Sequence, residues 1–297
     1  MTEPALHLFP ESVAATVVET ALSEDLGGFP GTDVTTSATI PAAQRSSAHV
    51  VAREDGVVAG MPLLSTVFRA VTERLGSPEV DVEPRHEDGD VVARGDVLAV
   101  LHGSTRAILV GERTLLNLLS RLSGVATHTR RWADALEGTG AVVLDTRKTT
   151  PGLLALEKYA VRCGGGTNKR MGLYDVAMIK DNHKLAAGSL TAAYDAVRSS
   201  APGVDIQVEV TTTTEALEAV AAGARFLLCD NMSVPLLRET VQAVRGTGQD
   251  VEIEATGGLT LAVARDYAQT GVDFLSVGAL THSSPILDIA LDLVDEA

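Results

Sequence analysis

The sequence predicts an α/β protein in two parts, a mixed α/β region followed by a (β/α) barrel, and three observations carry that prediction. From about residue 141, six short apolar runs recur, with helical segments between the later ones, the pattern of parallel strands joined by crossover helices. The runs end in charged, hydroxyl or glycine residues, and barrel sites are built at the C-terminal ends of strands. Before residue 113 the β-rich runs are instead separated by Gly and Asp turn signals and show no such repeat.

Taken in order, residues 11–22 predict a helix, followed by a loop at Gly27-Gly28-Phe29-Pro30-Gly31. Residues 49–53 and 97–101 read as strands, with turns at Glu87-Asp88-Gly89-Asp90 and Arg94-Gly95-Asp96. The region is faintly similar to a biotinyl or lipoyl carrier hairpin, but it has no Lys to modify, which excludes that role. Residues 113–137 predict a helix, because Leu115, Leu118, Leu119, Leu122 and Val125 fall at helical spacing and Trp132 and Leu136 continue the face. The domain junction is set here, giving 1–115 and 116–282, with residues 283–297 free to pack back on the first domain.

The six runs are 141–144, 176–179, 206–208, 226–229, 251–253 and 274–277, with helices at 215–222, 235–244 and 261–269. Ser233 followed by Pro235 marks a helix start. The runs end at Thr146-Arg147-Lys148, Lys180, Glu209, Asp230, Glu254 with Thr256, and Gly278. From Lys180 onward these ends are 29, 21, 24 and 24 residues apart, the length one strand–helix unit needs.

Bulk properties narrow the function. The 297 residues are 45% apolar and 21% charged, ordinary for a globular enzyme. No apolar run approaches the ~18 residues of a membrane span, and Met1-Thr2-Glu3-Pro4 lacks the order of a signal peptide. Two cysteines, Cys163 and Cys229, make no disulfide framework, so a cytoplasmic location is expected. A net charge of −15 argues against nucleic-acid or anionic-membrane partners. Residues 145–184, however, hold 8 of the 24 Lys and Arg and every Lys in the chain: Lys148, Lys158, Lys169, Lys180 and Lys184. One basic segment in an acidic chain suits a small, multiply charged anion, although a solvated basic face would look the same.

The motifs agree. Asp145-Thr146-Arg147-Lys148-Thr149-Thr150-Pro151-Gly152 puts two adjacent cations at a strand end, one a planar fork and one a compact charge. Cys163-Gly164-Gly165-Gly166-Thr167-Asn168-Lys169-Arg170 joins a backbone able to approach a ligand to two more cations. Lys180, in Ile179-Lys180-Asp181-Asn182-His183, is an anion clamp or a Schiff-base lysine. No histidine pair has zinc spacing, and His183 reads as a hydrogen-bonding residue. Glu209 and Asp230 could bond sugar hydroxyls, help hold Mg²⁺, act as acid and base, or simply cap the next helices. The turns 254–260 and 276–282 place small residues where backbone N–H groups at helix N-termini bind phosphate. A phosphorylated sugar together with a dicarboxylate satisfies all of these features.

Arg113-Thr114-Leu115-Leu116-Asn117, Asp145 through Gly152, Glu157-Lys158-Tyr159-Ala160-Val161-Arg162, Lys180-Asp181-Asn182-His183, Val208-Glu209-Val210, Asp230-Asn231-Met232, Thr256-Gly257-Gly258 and Val277-Gly278-Ala279 resemble the quinolinate phosphoribosyltransferases. The resemblance runs from about residue 20 to the C-terminus. It implies an α/β sandwich domain, then an incomplete (β/α) barrel. It also implies a homodimer, able to assemble further into a hexamer, in which Arg113 reaches the partner's site. The implied reaction joins quinolinate to 5-phosphoribosyl 1-diphosphate with Mg²⁺, giving nicotinate mononucleotide, CO₂ and diphosphate in NAD biosynthesis. By position, Arg113, Thr146, Arg147, Lys148, Lys169, Arg170 and Lys180 would hold carboxylates and phosphates. Lys148, Glu209 and Asp230 would be catalytic, the last two contacting ribose and the Mg²⁺ carried by the diphosphate. Thr256, Gly257, Gly258, Val277, Gly278 and Ala279 would take the 5-phosphate.

The chain departs from the family pattern twice: Lys169 stands where the family has His, with an anion contact expected to survive, and Thr256 stands in place of Ser. Both leave room for a paralogue acting on a different aromatic acid. A Schiff-base aldolase using Lys180 and a non-catalytic sensor of pyridine acids are the other classes. Clustered cations argue against the first, and strand-end carboxylates, which would repel the ligand, argue against the second.

Overall fold

The computed structural model describes residues 8–294, so the acidic start Met1-Thr2-Glu3-Pro4 lies outside the described residues. The chain forms two compact units. Among the described residues the first comprises 8–130, 149–165 and 281–294, and the second 131–148 and 166–280.

The elements run α1 (Glu11–Leu26), α2 (Val34–Thr39), β1 (Arg45–Ala52), β2 (Gly56–Val57), α3 (Leu63–Leu75), β3 (Asp81–Pro84), β4 (Val91–Val92), β5 (Val97–Ser104) and α4 (Thr105–Leu136). They continue with β6 (Val142–Leu144), α5 (Leu154–Cys163), β7 (Val176–Ile179), α6 (Asp181–Ala187), α7 (Leu190–Ser200), β8 (Asp205–Val210) and α8 (Thr213–Ala222). Then come β9 (Phe226–Asp230), α9 (Val234–Gly246), β10 (Glu252–Thr256), α10 (Ala264–Ala268), β11 (Phe274–Ser276), α11 (Ala279–His282) and β12 (Ile289–Val294).

The first unit is an α/β sandwich. Its antiparallel sheet has the order β12-β1-β5-β3, so the C-terminal strand returns to pair with β1, Val50 opposite Leu291. In α1 the buried residues Ala14, Val18, Leu22 and Leu26 recur every four positions, and Gly27 ends the helix in the left-handed region, φ 73°. Each expected turn is closed by its last aspartate: Asp90 accepts the Glu87 N–H and Asp96 the Ala93 N–H, both at 2.8 Å.

Helix α4 begins eight residues before the sequence signal at 113, directly after β5, with no intervening turn to mark it. Gly111 lowers helix propensity there, yet a Cβ at this position would lie 2.7 Å from Phe68 of α3, so close helix packing outweighs propensity. The expected junction at 115/116 therefore falls inside one continuous helix. Residues 116–130 of that helix stay with the first unit, because the Ser123 hydroxyl accepts the Ala59 N–H at 3.0 Å and Thr127 the Val57 N–H at 2.8 Å. Helix α5 belongs there too, its Tyr159 hydroxyl donating to Asp88 at 2.6 Å.

The second unit is a six-stranded parallel sheet in the order β6-β11-β10-β9-β8-β7, with β6 and β7 at its two edges: an incomplete (β/α) barrel. Val208, Val210, Leu227, Cys229, Ile253, Ala255 and Leu275 are buried, alternating with the residues that face the other way. Register puts Glu209, Leu228, Glu254 and Phe274 in one row, and Asp230 beside Thr256 in the next. No helix among the described residues is long and apolar enough to cross a membrane.

Candidate active site

The barrel unit gathers most of the sequence-predicted residues at the C-terminal ends of its strands. Lys180 follows β7 directly, its N–H donating to His183 Nδ1 at 2.9 Å, and its Nζ reaches Glu209 Oε2 on β8 at 2.8 Å. Neither Glu209 nor Asp230 caps a helix, since Thr212 precedes α8 and Ser233 precedes α9.

Asp230 ends β9, and Asn231 after it takes the left-handed conformation, φ 52°. The Asn231 side chain donates to Asp230 Oδ2 at 2.8 Å, while its backbone N–H donates to Thr256 O at 2.9 Å. A Cβ at Gly257 would lie 2.5 Å from Asn231 Oδ1, and Gly257 itself has φ 91°. Glycine is thus required, and the Asp230 and Thr256 turns are interlocked.

The cations divide into two kinds. Arg147 and Lys148 are exposed past the end of β6, where the Lys148 N–H donates to the Thr146 hydroxyl at 3.2 Å. Arg170 Nη1 donates to Val176 O at 3.0 Å, and burial together with repulsion from Arg147 lowers its pKa. Lys169 departs from the expected anion contact. Its Nζ lies 2.6 Å from both oxygens of Glu254, with only 7% of the side chain exposed against 0% for the glutamate. Burial pulls the Lys169 pKa down, opposed by Glu254. Lys184, from the same basic segment, is taken up by Asp181 and Glu215 at 2.8 and 3.1 Å.

The phosphate turns also differ in detail. The α-helix after Thr256-Gly257-Gly258 starts only at Ala264, behind a 3₁₀ turn at Leu261–Val263, so the glycines are not a helix N-terminus. The Val277 N–H donates to Leu144 O at 3.0 Å and is not available for phosphate, while Ala279 opens α11. Arg113 lies exposed on α4 in the first unit.

Three supporting residues were absent from the expected site: Glu254, Asn231 and Asp145. Buried Asp145 accepts the Asn168 side-chain amide at 2.7 Å and the Lys169 N–H at 2.8 Å. Two-residue alternation already set Glu252, Glu254 and Thr256 on one face, but the partner of Glu254 was not readable from it. Among the described residues no group of three or more His, Cys, Asp or Glu is placed to hold a metal ion.

Comparison with known proteins agrees with this geometry. Profiles for the N-terminal and C-terminal domains of quinolinate phosphoribosyl transferase match residues 33–123 and 125–292. The chain is 45% identical over 280 residues to a nicotinate-nucleotide pyrophosphorylase [carboxylating] of Mycobacterium leprae, covering 94% of this chain and 97% of that one. It is 42% identical to a probable enzyme of that name from Bacillus subtilis, covering 89% of each. Its fold is similar to the nicotinate-nucleotide pyrophosphorylase of Francisella tularensis, with TM-score 0.90, 31% identity, and 99% and 100% of the two chains covered. With both domains matched and the cation-lined barrel mouth in place, the chain belongs to the quinolinate phosphoribosyl transferase family.

Proposed function

We propose that this chain transfers the phosphoribosyl group of 5-phosphoribosyl 1-diphosphate to quinolinate with decarboxylation, yielding nicotinate mononucleotide, CO₂ and diphosphate for NAD synthesis. The observation that supports this most is the pairing of the exposed cations Arg147, Lys148 and Lys180 and the half-buried Arg170 with the strand-end carboxylates Glu209 and Asp230 in one barrel unit. Cations suit a dicarboxylate and phosphates, while carboxylates suit a sugar that becomes positive as it reacts.

Arg147 and Arg170 hold the two ring carboxylates, and Lys148 and Lys180 meet phosphate and carboxylate oxygens. The turn at 256–258, with Gly257 half-buried and Gly258 exposed, receives the 5-phosphate. As the C1–O bond to diphosphate breaks, Glu209 and Asp230 stabilise the positive charge gathering on the ribose. The ring nitrogen forms the new bond to C1 and becomes cationic. That ring then takes the electron pair released when the adjacent carboxylate leaves as CO₂, and the carbon left behind accepts a proton. No protein nucleophile is needed, and burial pushes the pKa values of both Cys163 and Cys229 up to about 12.

Mg²⁺ belongs to the proposal. It prefers one or two carboxylates together with water and phosphate oxygens, and Glu209 and Asp230 offer hard oxygens of that kind. When bound with the diphosphate it offsets leaving-group charge. Exposed Arg113 is proposed to serve the site of a second copy in a homodimer, in the cytoplasm.

The test is release of CO₂ and diphosphate from quinolinate and phosphoribosyl diphosphate with Mg²⁺, beside Arg147→Ala. Equimolar release that is lost in the variant supports the reading. Quinolinate binding without release points to another aromatic acid as substrate.

A further inference from the structure

We infer that the Lys169–Glu254 ion pair is a positioning device: it fastens the 168–170 segment to the barrel so that Arg170 stays beside Arg147. This deepens the reading above and rests on it. Lys169 contributes little charge to a ligand, because its ammonium sits 2.6 Å from both Glu254 oxygens and is nearly buried. It contributes a tether instead.

Two carboxylates grip this short stretch. Glu254 on β10 takes the Lys169 ammonium, and Asp145, just past β6, takes both the Lys169 N–H and the Asn168 side chain at 2.8 and 2.7 Å. The Phe226 ring adds an apolar wall, with the ammonium 5.9 Å from its centroid. Fastening is needed for two reasons. The segment follows Gly164-Gly165-Gly166, which impose little conformation of their own. Arg170 also lies close enough to Arg147 to feel its charge, so without a bound acid the two guanidinium groups push each other apart. Arg170's own anchor is a single bond, from Nη1 to Val176 O. A neutral pair behind it holds the backbone without adding another repelling cation. Glu254 and Lys169 are therefore positioning residues, not ligands.

The experiment compares the parent with Glu254→Gln, Lys169→Met and the charge-free double variant Lys169→Met/Glu254→Met. Three quantities are read: amide hydrogen exchange across 168–170 without substrate, steady-state constants for both substrates, and Tm. In all three variants exchange rises, and the quinolinate KM increases by about tenfold or more, the size expected for a misplaced charge-assisted contact, while the phosphoribosyl diphosphate KM moves by less than about threefold. The double variant regains the Tm lost in the single variants but keeps the raised quinolinate KM. A folded double variant whose quinolinate KM stays within about twofold of the parent overturns the inference, whatever its Tm or exchange, because a purely structural pair behaves that way. If the parent releases no CO₂ from quinolinate, the reaction assignment fails on its own. Exchange then decides: faster exchange at 168–170 in the double variant keeps the tether, and unchanged exchange removes it.

Discussion

Lys180 Nζ lies 2.8 Å from Glu209 Oε2, joining the ends of neighbouring parallel strands. The lysine side chain is 47% exposed and the glutamate 11%, so the ammonium can turn to a substrate anion while the carboxylate stays largely covered. In Glu209→Gln the shape is kept and the charge is lost. If Glu209 stabilises the positive ribose only as the bond to diphosphate breaks, kcat falls by about 10²-fold or more with little change in either KM. Steady-state diphosphate release measures this. A kcat within a few-fold of the parent would remove Glu209 from the chemistry.

Gly257→Ala tests the interlocked turns. The new Cβ would lie 2.5 Å from Asn231 Oδ1, on a backbone at φ 91°, which costs about 1–2 kcal/mol of strain before any clash. Asn231 must shift, and Asp230 then loses the amide that orients it. Expected are a lower Tm and a kcat/KM reduced by about 10–100-fold in a protein that still folds. Full activity would mean that the orientation of Asp230 is not critical.

What the sequence made legible follows from which forces act locally. The strands of the barrel are readable as short apolar runs, because parallel strands are covered on both faces, and their ends at Lys180, Glu209 and Asp230 are marked by the spacing of one strand–helix unit. The start of α4 was not, because the packing of Gly111 on Phe68 is a contact distant in sequence. Lys169 and Glu254 are 85 residues apart and meet only through tertiary packing, so a lone lysine after a glycine run reads as one more anion ligand. The Val277 amide is hidden from sequence reading for the same reason, its partner being Leu144 on the next strand.

The Lys184–Glu215 pair gives a pH-dependent prediction. Burial alone would raise the Glu215 pKa, but the Thr211 N–H and Lys184 outweigh it and hold the carboxyl below its usual value. Burial would likewise lower the Lys184 pKa, but Asp181 and Glu215 raise it. A depressed carboxyl adds stability that is present above its unfolded pKa of about 4.3 and is lost as pH falls through the folded value. The raised lysine adds stability that is present below about 10.4 and is lost as pH rises through its folded value. Glu215→Gln should therefore be less stable than the parent at pH 7, by about 1 kcal/mol or less for a partly exposed pair, with the gap closing below about pH 4. Urea unfolding at several pH values reads it, and a gap independent of pH would rule out the charge pair as its source.

Arg121 and Glu157 give the largest expected loss of stability. Glu157 is fully buried and accepts from Arg121 Nε and Nη2 at 3.1 and 2.7 Å, and from the Thr150 N–H and hydroxyl at 3.0 and 2.8 Å. Arg121 also donates to the carbonyls of Thr281 and Ser284, so one guanidinium gathers three separate stretches of the first unit. Arg121→Met strands a buried carboxylate and removes the guanidinium donors from those carbonyls, at a cost of about 3–5 kcal/mol. Arg121→Lys keeps a charge but not the fork, and recovers only part of the loss. Chemical denaturation distinguishes the cases. A loss under about 1 kcal/mol in Arg121→Met would show that water reaches Glu157 as readily as the arginine does.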